Sequence, residues 1–216
     1  MIMKLHLLRK SLSQSCESGF TIIDSLVALI VAAILLAAIA PVLVLSTATR
    51  VQSRRVELAT QAAKTYIDGV RTNTIADPPA TNPITTTPAQ YGVPTAGSLT
   101  CNTANNYCSS PSADLYCVDS DGDSKCTNTS VKDLIIQAFR YNSSSSDANN
   151  GYSLALRVYR ADGFKGSDAL KKSTKQNTFT GGIGDRKTPL IEMTTEITKS
   201  QTSYSSLCQR LGGCQQ

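Results

Sequence analysis

Twenty-five consecutive residues, Ser25 to Thr49, carry no charge, and Pro41 alone interrupts their helical character. An α-helix rises ~1.5 Å per residue, so the run is long enough to cross a hydrocarbon core ~30 Å thick. No other segment constrains the chain so strongly. A helix that is apolar on every side needs either a large core around it or a bilayer. Asp24 stands directly before the run. A carboxylate at the edge of a membrane helix is costly, so it calls for a partner or a function.

The residues ahead of the run narrow the reading. Met1 to Gly19 holds Lys4, Arg9 and Lys10 against the single acid Glu17, and lacks an apolar region of its own. An ordinary secretory signal places its apolar segment before the cleavage site, whereas here the apolar segment follows Gly19. The stretch Gly19-Phe20-Thr21-Ile22-Ile23-Asp24-Ser25, with the helix behind it, resembles the processing and assembly signal of type IV pilins and type II secretion pseudopilins. Members of that family carry an acid, usually Glu, at the place of Asp24. The resemblance implies that a prepilin peptidase cuts between Gly19 and Phe20 and methylates the new Phe amine. It also implies that Asp24 is an assembly contact, reaching the Phe amine of its own or a neighbouring subunit. The plainer alternative is an uncleaved single-pass anchor with a basic tail, which leaves Asp24 unexplained.

Counting positive charges does not settle topology, because Arg50, Arg54 and Arg55 follow the run as closely as the leader precedes it. The cysteines do. With Cys16 removed in the leader, six remain: Cys101, Cys108, Cys117, Cys126, Cys208 and Cys214. An even number in a loop-rich region predicts disulfides and an oxidising compartment outside the cytoplasm. Six cysteines allow 15 pairings; Cys117–Cys126 and Cys208–Cys214 each close a short local loop and are the favoured pairs.

Domain organisation follows from composition. Residues 1–19 are the leader and 20–71 one long helix, with a membrane half at 20–46 and an amphipathic half at 47–71. Ala59, Ala62, Ala63, Tyr66, Ile67 and Val70 recur at helical spacing in that second half, and Asn73 and Pro78-Pro79 end it. Residues 72–98 hold five of the eight prolines among Thr, Ala and Asn, and read as an extended or partly disordered loop. Residues 99–216 form a globular β domain. Its strands are expected at Leu134–Tyr141, Tyr152–Arg160 and Leu190–Ile197, the first two joined as a hairpin with a long Ser/Asp/Asn/Gly loop. Tyr152, Leu154, Leu156 and Val158 share one face of the second strand; Ile191, Met193, Thr195 and Ile197 share one face of the third. The fold class is therefore α+β. In the pilin-like form that the resemblance implies, the long helix packs on a mostly antiparallel sheet with disulfide-rich loops.

One loop carries possible metal chemistry. Asp119-Ser120-Asp121-Gly122-Asp123 places three carboxylates, Asp119, Asp121 and Asp123, at alternate positions, as the first half of an EF-hand loop does. Ser124 stands where that loop wants Gly, and Ser130 where it wants a bidentate Glu. A structural calcium, which has precedent among pseudopilins, competes with a solvated acidic turn closed by Cys117 and Cys126.

Enzyme classes fall away. His6 is the only histidine and lies in the leader, which excludes Ser-His-Asp and Cys-His nucleophile systems and His metal sites from the mature chain. Gly181-Gly182-Ile183-Gly184 lacks the Lys-Ser/Thr and the strand context of a phosphate loop. Cleavage lowers the net charge from +5 to +3, with 18 basic against 15 acidic side chains, too little for a nucleic-acid surface. The stretches Arg54–Arg71, Arg157–Asp162 and Leu207–Cys214 further resemble the pseudopilins of hormogonium polysaccharide secretion. That resemblance implies a non-enzymatic minor subunit of a type IV pilus-like machine supporting polysaccharide export and gliding. The implied partners are prepilin peptidase, other pilin or pseudopilin subunits, an inner-membrane assembly platform, lipid before assembly, and polysaccharide. The implied location is the inner membrane, with the C-terminal domain in the periplasm, and later the cell surface. A pilus-displayed adhesin or glycan-binding tip module, and an independent membrane-anchored exported protein, are the alternatives.

Overall fold

The structure is a computed structural model that describes residues 21–81, 86–101, 103–174, 184–199, 202–210 and 213. Gly19, Phe20, Cys214 and residues 181–183 lie outside that set. The chain divides into two compact units, Met1–Val44 and Leu45–Gln216. Helix α1, Ile22–Arg71, is 50 residues long and continues through Pro41.

In the first unit, every described residue is exposed, including Ile22, Ile23, Leu29 and Leu36. None of the helix's most apolar window is buried, and by length and composition this helix can cross a membrane. Its start is fixed locally. Thr21 Oγ1 donates to Asp24 Oδ2 at 2.7 Å, and the Asp24 N–H donates back to Thr21 Oγ1 at 3.3 Å. The Thr21 N–H also donates to Asp24 Oδ2 at 3.3 Å. This is the reciprocal arrangement of a capping box, with Asp in the place usually taken by Glu, and it satisfies donors the first turn leaves open.

The second unit is built on a four-stranded antiparallel meander: β1 (Leu115–Val118), β2 (Leu134–Tyr141), β3 (Tyr152–Arg160) and β4 (Ile191–Ile197), in that spatial order. β2 and β3 pair along their whole length, with Ile136 opposite Val158 and Ala138 opposite Leu156. The expected strands are present, the last starting at Ile191 rather than Leu190, whose N–H reaches Val158 O at 2.7 Å. β1 is a fourth strand inside the cysteine-dense segment that the sequence presented as loop. Its apolar run is only four residues long, and its pairing is set by β2 rather than by its own pattern.

One sheet face lies under α1. Ala59, Ala63, Tyr66, Ile67 and Val70 pack with Ile136, Ala138, Tyr152, Leu154, Leu156 and Val158. The alanines and Tyr66 together fill the space between helix and sheet. Tyr66 shares a 2.6 Å hydrogen bond with the Tyr107 hydroxyl and meets the Tyr107 and Tyr116 rings edge-on. The end of α1 is closed by Asn73 at φ 57° and by the N–H groups of Thr74 and Ile75, which both reach Gly69 O. A Cβ on Gly69 would lie 2.5 Å from Ile75 Cδ1, so the Ile75 side chain packs over the space that glycine leaves open there. Lys199, just past β4, donates to Val70 O at 3.2 Å and pairs with Asp77 at 3.0 Å, placing a cation at the negative end of the helix.

The other sheet face carries a second core. Leu115, Cys117, Ile135 and Tyr159 pack with Cys101, Cys108, Phe164 and Leu170. Much of its cover is residues 86–98, within the proline-rich segment 72–98 expected to be extended or partly disordered, of which 72–81 and 86–98 are described. Arg157, in the middle of β3 and 4% exposed, fixes it. Its guanidinium donates to the carbonyls of Pro88, Tyr91 and Gly92 and to Gln137 Oε1, at 2.8 to 3.2 Å. Lys172 donates to the carbonyls of Ala89, Gln90 and Tyr91 from the far side. Tyr91 stacks on Phe139 with ring centroids 3.9 Å apart, and burial pushes its hydroxyl up to about 12.

Cys117–Cys126 is bonded as expected, and Cys101–Cys108 forms a second disulfide. Cys208, in the short helix α2 (Tyr204–Arg210), is also disulfide-bonded. Its expected partner, Cys214, lies outside the described residues.

Candidate functional site

The acidic loop follows β1 and is closed by the Cys117–Cys126 disulfide. Asp119 organises it. Its Oδ1 accepts the N–H groups of Asp121 (3.0 Å) and Gly122 (2.6 Å), and its Oδ2 accepts that of Ser124 (2.8 Å). These backbone donors hold the Asp119 carboxyl below the usual range. Ser124 takes φ 68°, the left-handed conformation for which an EF-hand loop uses glycine. Thus the residue that departs from the sequence pattern still adopts the backbone of that turn.

The three carboxylates that converge are Asp119, Asp121 and Asp133, with one oxygen from each lying within 4.8 Å of the others. Asp123, expected in the set, is not among them; its Oδ1 accepts the Lys125 N–H at 2.9 Å and closes the next turn. Asp133 takes its place from outside the run, three residues beyond Ser130. The Ser130 hydroxyl bonds Asp121 Oδ2 and accepts the Asp133 N–H, which draws Asp133 to the loop. Asp133 is 1% exposed. Its Oδ1 accepts the Ser120 N–H, while its Oδ2 is buried without a hydrogen-bond partner. Burial pushes this carboxyl up, and the neighbouring Asp121 and Asp119 charges push the same way. Three clustered carboxylates with one orphaned, buried oxygen fit a hard divalent cation: Asp119, Asp121 and Asp133 would hold calcium, which would neutralise their mutual repulsion. The sequence signal that could have found Asp133 is weak, since a single Asp before a strand is ordinary.

A second charged feature lies close by in the same unit. Arg160, at the end of β3 and 3% exposed, pairs with the buried Asp162, and Arg186 approaches Asp162 at 3.9 Å. Burial pulls the Arg55 guanidinium down, the Arg160 charge adds to that, and Asp162 opposes it. Arg160 Nε and Nη1 are buried without hydrogen-bond partners.

Asp24 is placed by the Thr21 capping box described above, so in this chain it has a local structural role. Gly19 and Phe20, the expected processing junction, lie outside the described residues. Comparison with protein-family models, curated proteins and solved structures finds no match.

Proposed function

We propose that this chain is a non-enzymatic minor pilin or pseudopilin subunit of a type IV pilus-like machine, cleaved after Gly19 and assembled through its N-terminal helix. The observation that carries the reading is α1. Its apolar stretch is exposed from Ile22 to Val44, with an acid in its first turn, and its other half packs on an antiparallel sheet. The exposed half needs lipid before assembly and neighbouring subunits after it. Prepilin peptidase and an inner-membrane assembly platform are the partners this route requires. The disulfides fit a domain in the periplasm and later at the cell surface. Polysaccharide export and gliding motility are the processes such a subunit would serve, and a calcium ion held by Asp119, Asp121 and Asp133 would stiffen its loop.

The Thr21–Asp24 capping box favours a second reading, an independent membrane-anchored exported protein. It accounts for the acid without a filament. Two measurements separate the readings. Intact-mass analysis of the membrane form is expected to find a chain beginning at Phe20, about 2 kDa lighter than the precursor. A full-length mass overturns the subunit reading. Shearing cells should release the protein with surface filaments, with Asp24→Ala lowering the sheared fraction while Asp24→Glu keeps it. An anchor stays in the membrane fraction for all three chains.

A further inference from the structure

Lys199, Asn73 and Asp77 meet beyond the C-terminal end of α1, where the chain leaves β4. Lys199 Nζ donates to Asn73 Oδ1 at 2.5 Å and to Val70 O at 3.2 Å, and lies 3.0 Å from Asp77 Oδ1. The Lys199 side chain is only 8% exposed, and the Tyr152 hydroxyl donates to the same Asp77 oxygen. An amine, an amide carbonyl and a carboxylate thus share one place, largely out of water. The carbonyl carbon of Asn73 sits one bond behind the oxygen that the amine touches. An asparagine side chain is ordinarily attacked by the next backbone nitrogen. Here that nitrogen is tied, because Asn73 is held at φ 57° and the Thr74 N–H donates to Gly69 O at 2.9 Å. Among the described residues, Lys199 is the nucleophile that faces this amide.

We propose that Lys199 Nζ and Asn73 Cγ join in an intramolecular isopeptide bond, with Asp77 as its catalytic acid–base. An ion pair withdrawn from water loses hydration, and passing one proton from Nζ to Asp77 Oδ1 removes both charges. The freed lone pair attacks Cγ, and the Nζ–Cγ bond forms. Asp77 then delivers its proton to Nδ2 and a second Nζ proton follows to the same atom. The Cγ–Nδ2 bond breaks and the nitrogen leaves as ammonium. Asp77 ends as the carboxylate it began as, one N–H stays on Nζ to serve Val70 O, and nothing is oxidised or reduced. Asn73 is exposed, which gives the ammonium a way out. Holding amine and carbonyl in contact supplies the proximity that amide exchange between free molecules lacks, and the positioned carboxylate adds proton transfer. The bond would join positions 126 apart and tie the end of the helix to the exit of β4, a strand at the edge of the sheet. Force drawn along α1 would then pass to the sheet through a covalent link, in a filament subunit and in a lone anchor alike.

The test uses the full chain, purified, reduced and weighed intact beside its variants. The parent should be lighter than its sequence by one ammonia. A tryptic digest should contain a branched peptide that joins the segment holding Asn73 to one left uncut at Lys199. Asn73→Gly, which keeps the left-handed turn, and Lys199→Met should each abolish that peptide. Lys64→Met, an exposed change elsewhere on α1, should leave it in place. Asp77→Ala should slow bond formation by about a hundredfold or more, followed in freshly made protein. Where Asp77→Ala does not fold, the parent and Asn73→Gly still decide the bond. A parent chain of full mass, without the branched peptide, overturns the proposal and leaves Lys199 as a cap on the helix. Loss of ammonia without the branched peptide marks a succinimide at another asparagine and equally overturns it. A branched peptide that forms as fast in Asp77→Ala removes the catalytic carboxylate and with it the proposed route.

Discussion

The two faces of the sheet are held by different physics. Under α1 the contact is apolar, and its residues come from helix and strand positions spaced by the period of each element. On the opposite face the cover is loop, and loops bring carbonyl groups that must be satisfied. There a buried arginine, a lysine and two disulfides do what repeated apolar contact does on the helix side. The lesson is that a face covered by irregular chain needs point attachments, each specific and each separately breakable. Val118 and Cys117, adjacent in β1, turn to opposite cores, so the two regimes meet within a four-residue strand.

The largest test of this contrast is reduction. Cys101–Cys108 and Cys117–Cys126 have sequence separations of 7 and 9. Loops of that length constrain the unfolded chain by about 2.5 kcal/mol each, so these two should account for about 5 kcal/mol of the cost of reduction, which also opens the disulfide of Cys208. Denaturant melts of oxidised and reduced protein measure it. Hydrogen exchange should show the loop face opening before the strands of the helix face. Simultaneous loss of both faces would break the comparison.

Next in size is Arg157→Ala. It removes the guanidinium donors of Pro88 O and Gln137 Oε1, leaves Tyr91 O to Lys172 and Gly92 O to Gln137 Nε2, and takes from Glu192, 3.4 Å away, its arginine partner. Removing one side of such a buried polar network costs about 3–5 kcal/mol. Residues 86–98 should become a site of limited proteolysis. Ile136→Ala, on the helix face, should cost about 2–5 kcal/mol through its cavity yet leave that loop protected below the melt. Equal proteolysis in the two variants would show the loop to be held by the sheet as a whole.

A middle-sized effect is expected at the acidic loop between β1 and β2. Calcium at about a hundred times its dissociation constant would add about 2.7 kcal/mol, read as a rise in Tm that a chelator reverses. Asp133→Asn should remove that gain and, without calcium at neutral pH, raise Tm. The sign follows from the raised carboxyl: its contribution is favourable below the usual carboxylate pKa and is lost as pH rises through the folded value. The advantage of Asp133→Asn should therefore fade in acid. Asp119 runs the other way, since its lowered carboxyl stabilises above the usual pKa and loses that as pH falls through the folded value. A Tm indifferent to calcium in the parent chain would remove the metal from the account.

The smallest effect is Tyr66→Phe, which deletes one hydroxyl from the helix-side core. Tyr107 keeps its bond to Ala76 O at 2.9 Å, so the loss should be about 1 kcal/mol, measured by denaturant melt. A cost near that of Arg157→Ala would mean that the helix face also depends on point attachments.

What the sequence determined alone is periodic or local. The run Ser25–Thr49 settles a long apolar helix because its signal repeats over seven turns, and Asn73 marks its end because few residues tolerate that backbone. Tyr152, Leu154, Leu156 and Val158 declare a buried strand face by alternation, and Cys117 finds Cys126 through a short loop. Tertiary structure decided whatever joins residues distant along the chain. Arg157 reaches carbonyls more than 60 positions away, which turns a proline-rich stretch into the lid of a core. β1 exists because β2 offers it a partner. Asp133 joins Asp119 and Asp121, and Asp123 does not, because hydrogen bonds from Ser120 and Ser130 fold the loop back on itself. Arg55 and Arg160, 105 positions apart, meet in one cleft because the end of β3 comes beside α1. Spacing in sequence reports only neighbours along one element, and the charged sites of this protein are assembled between elements.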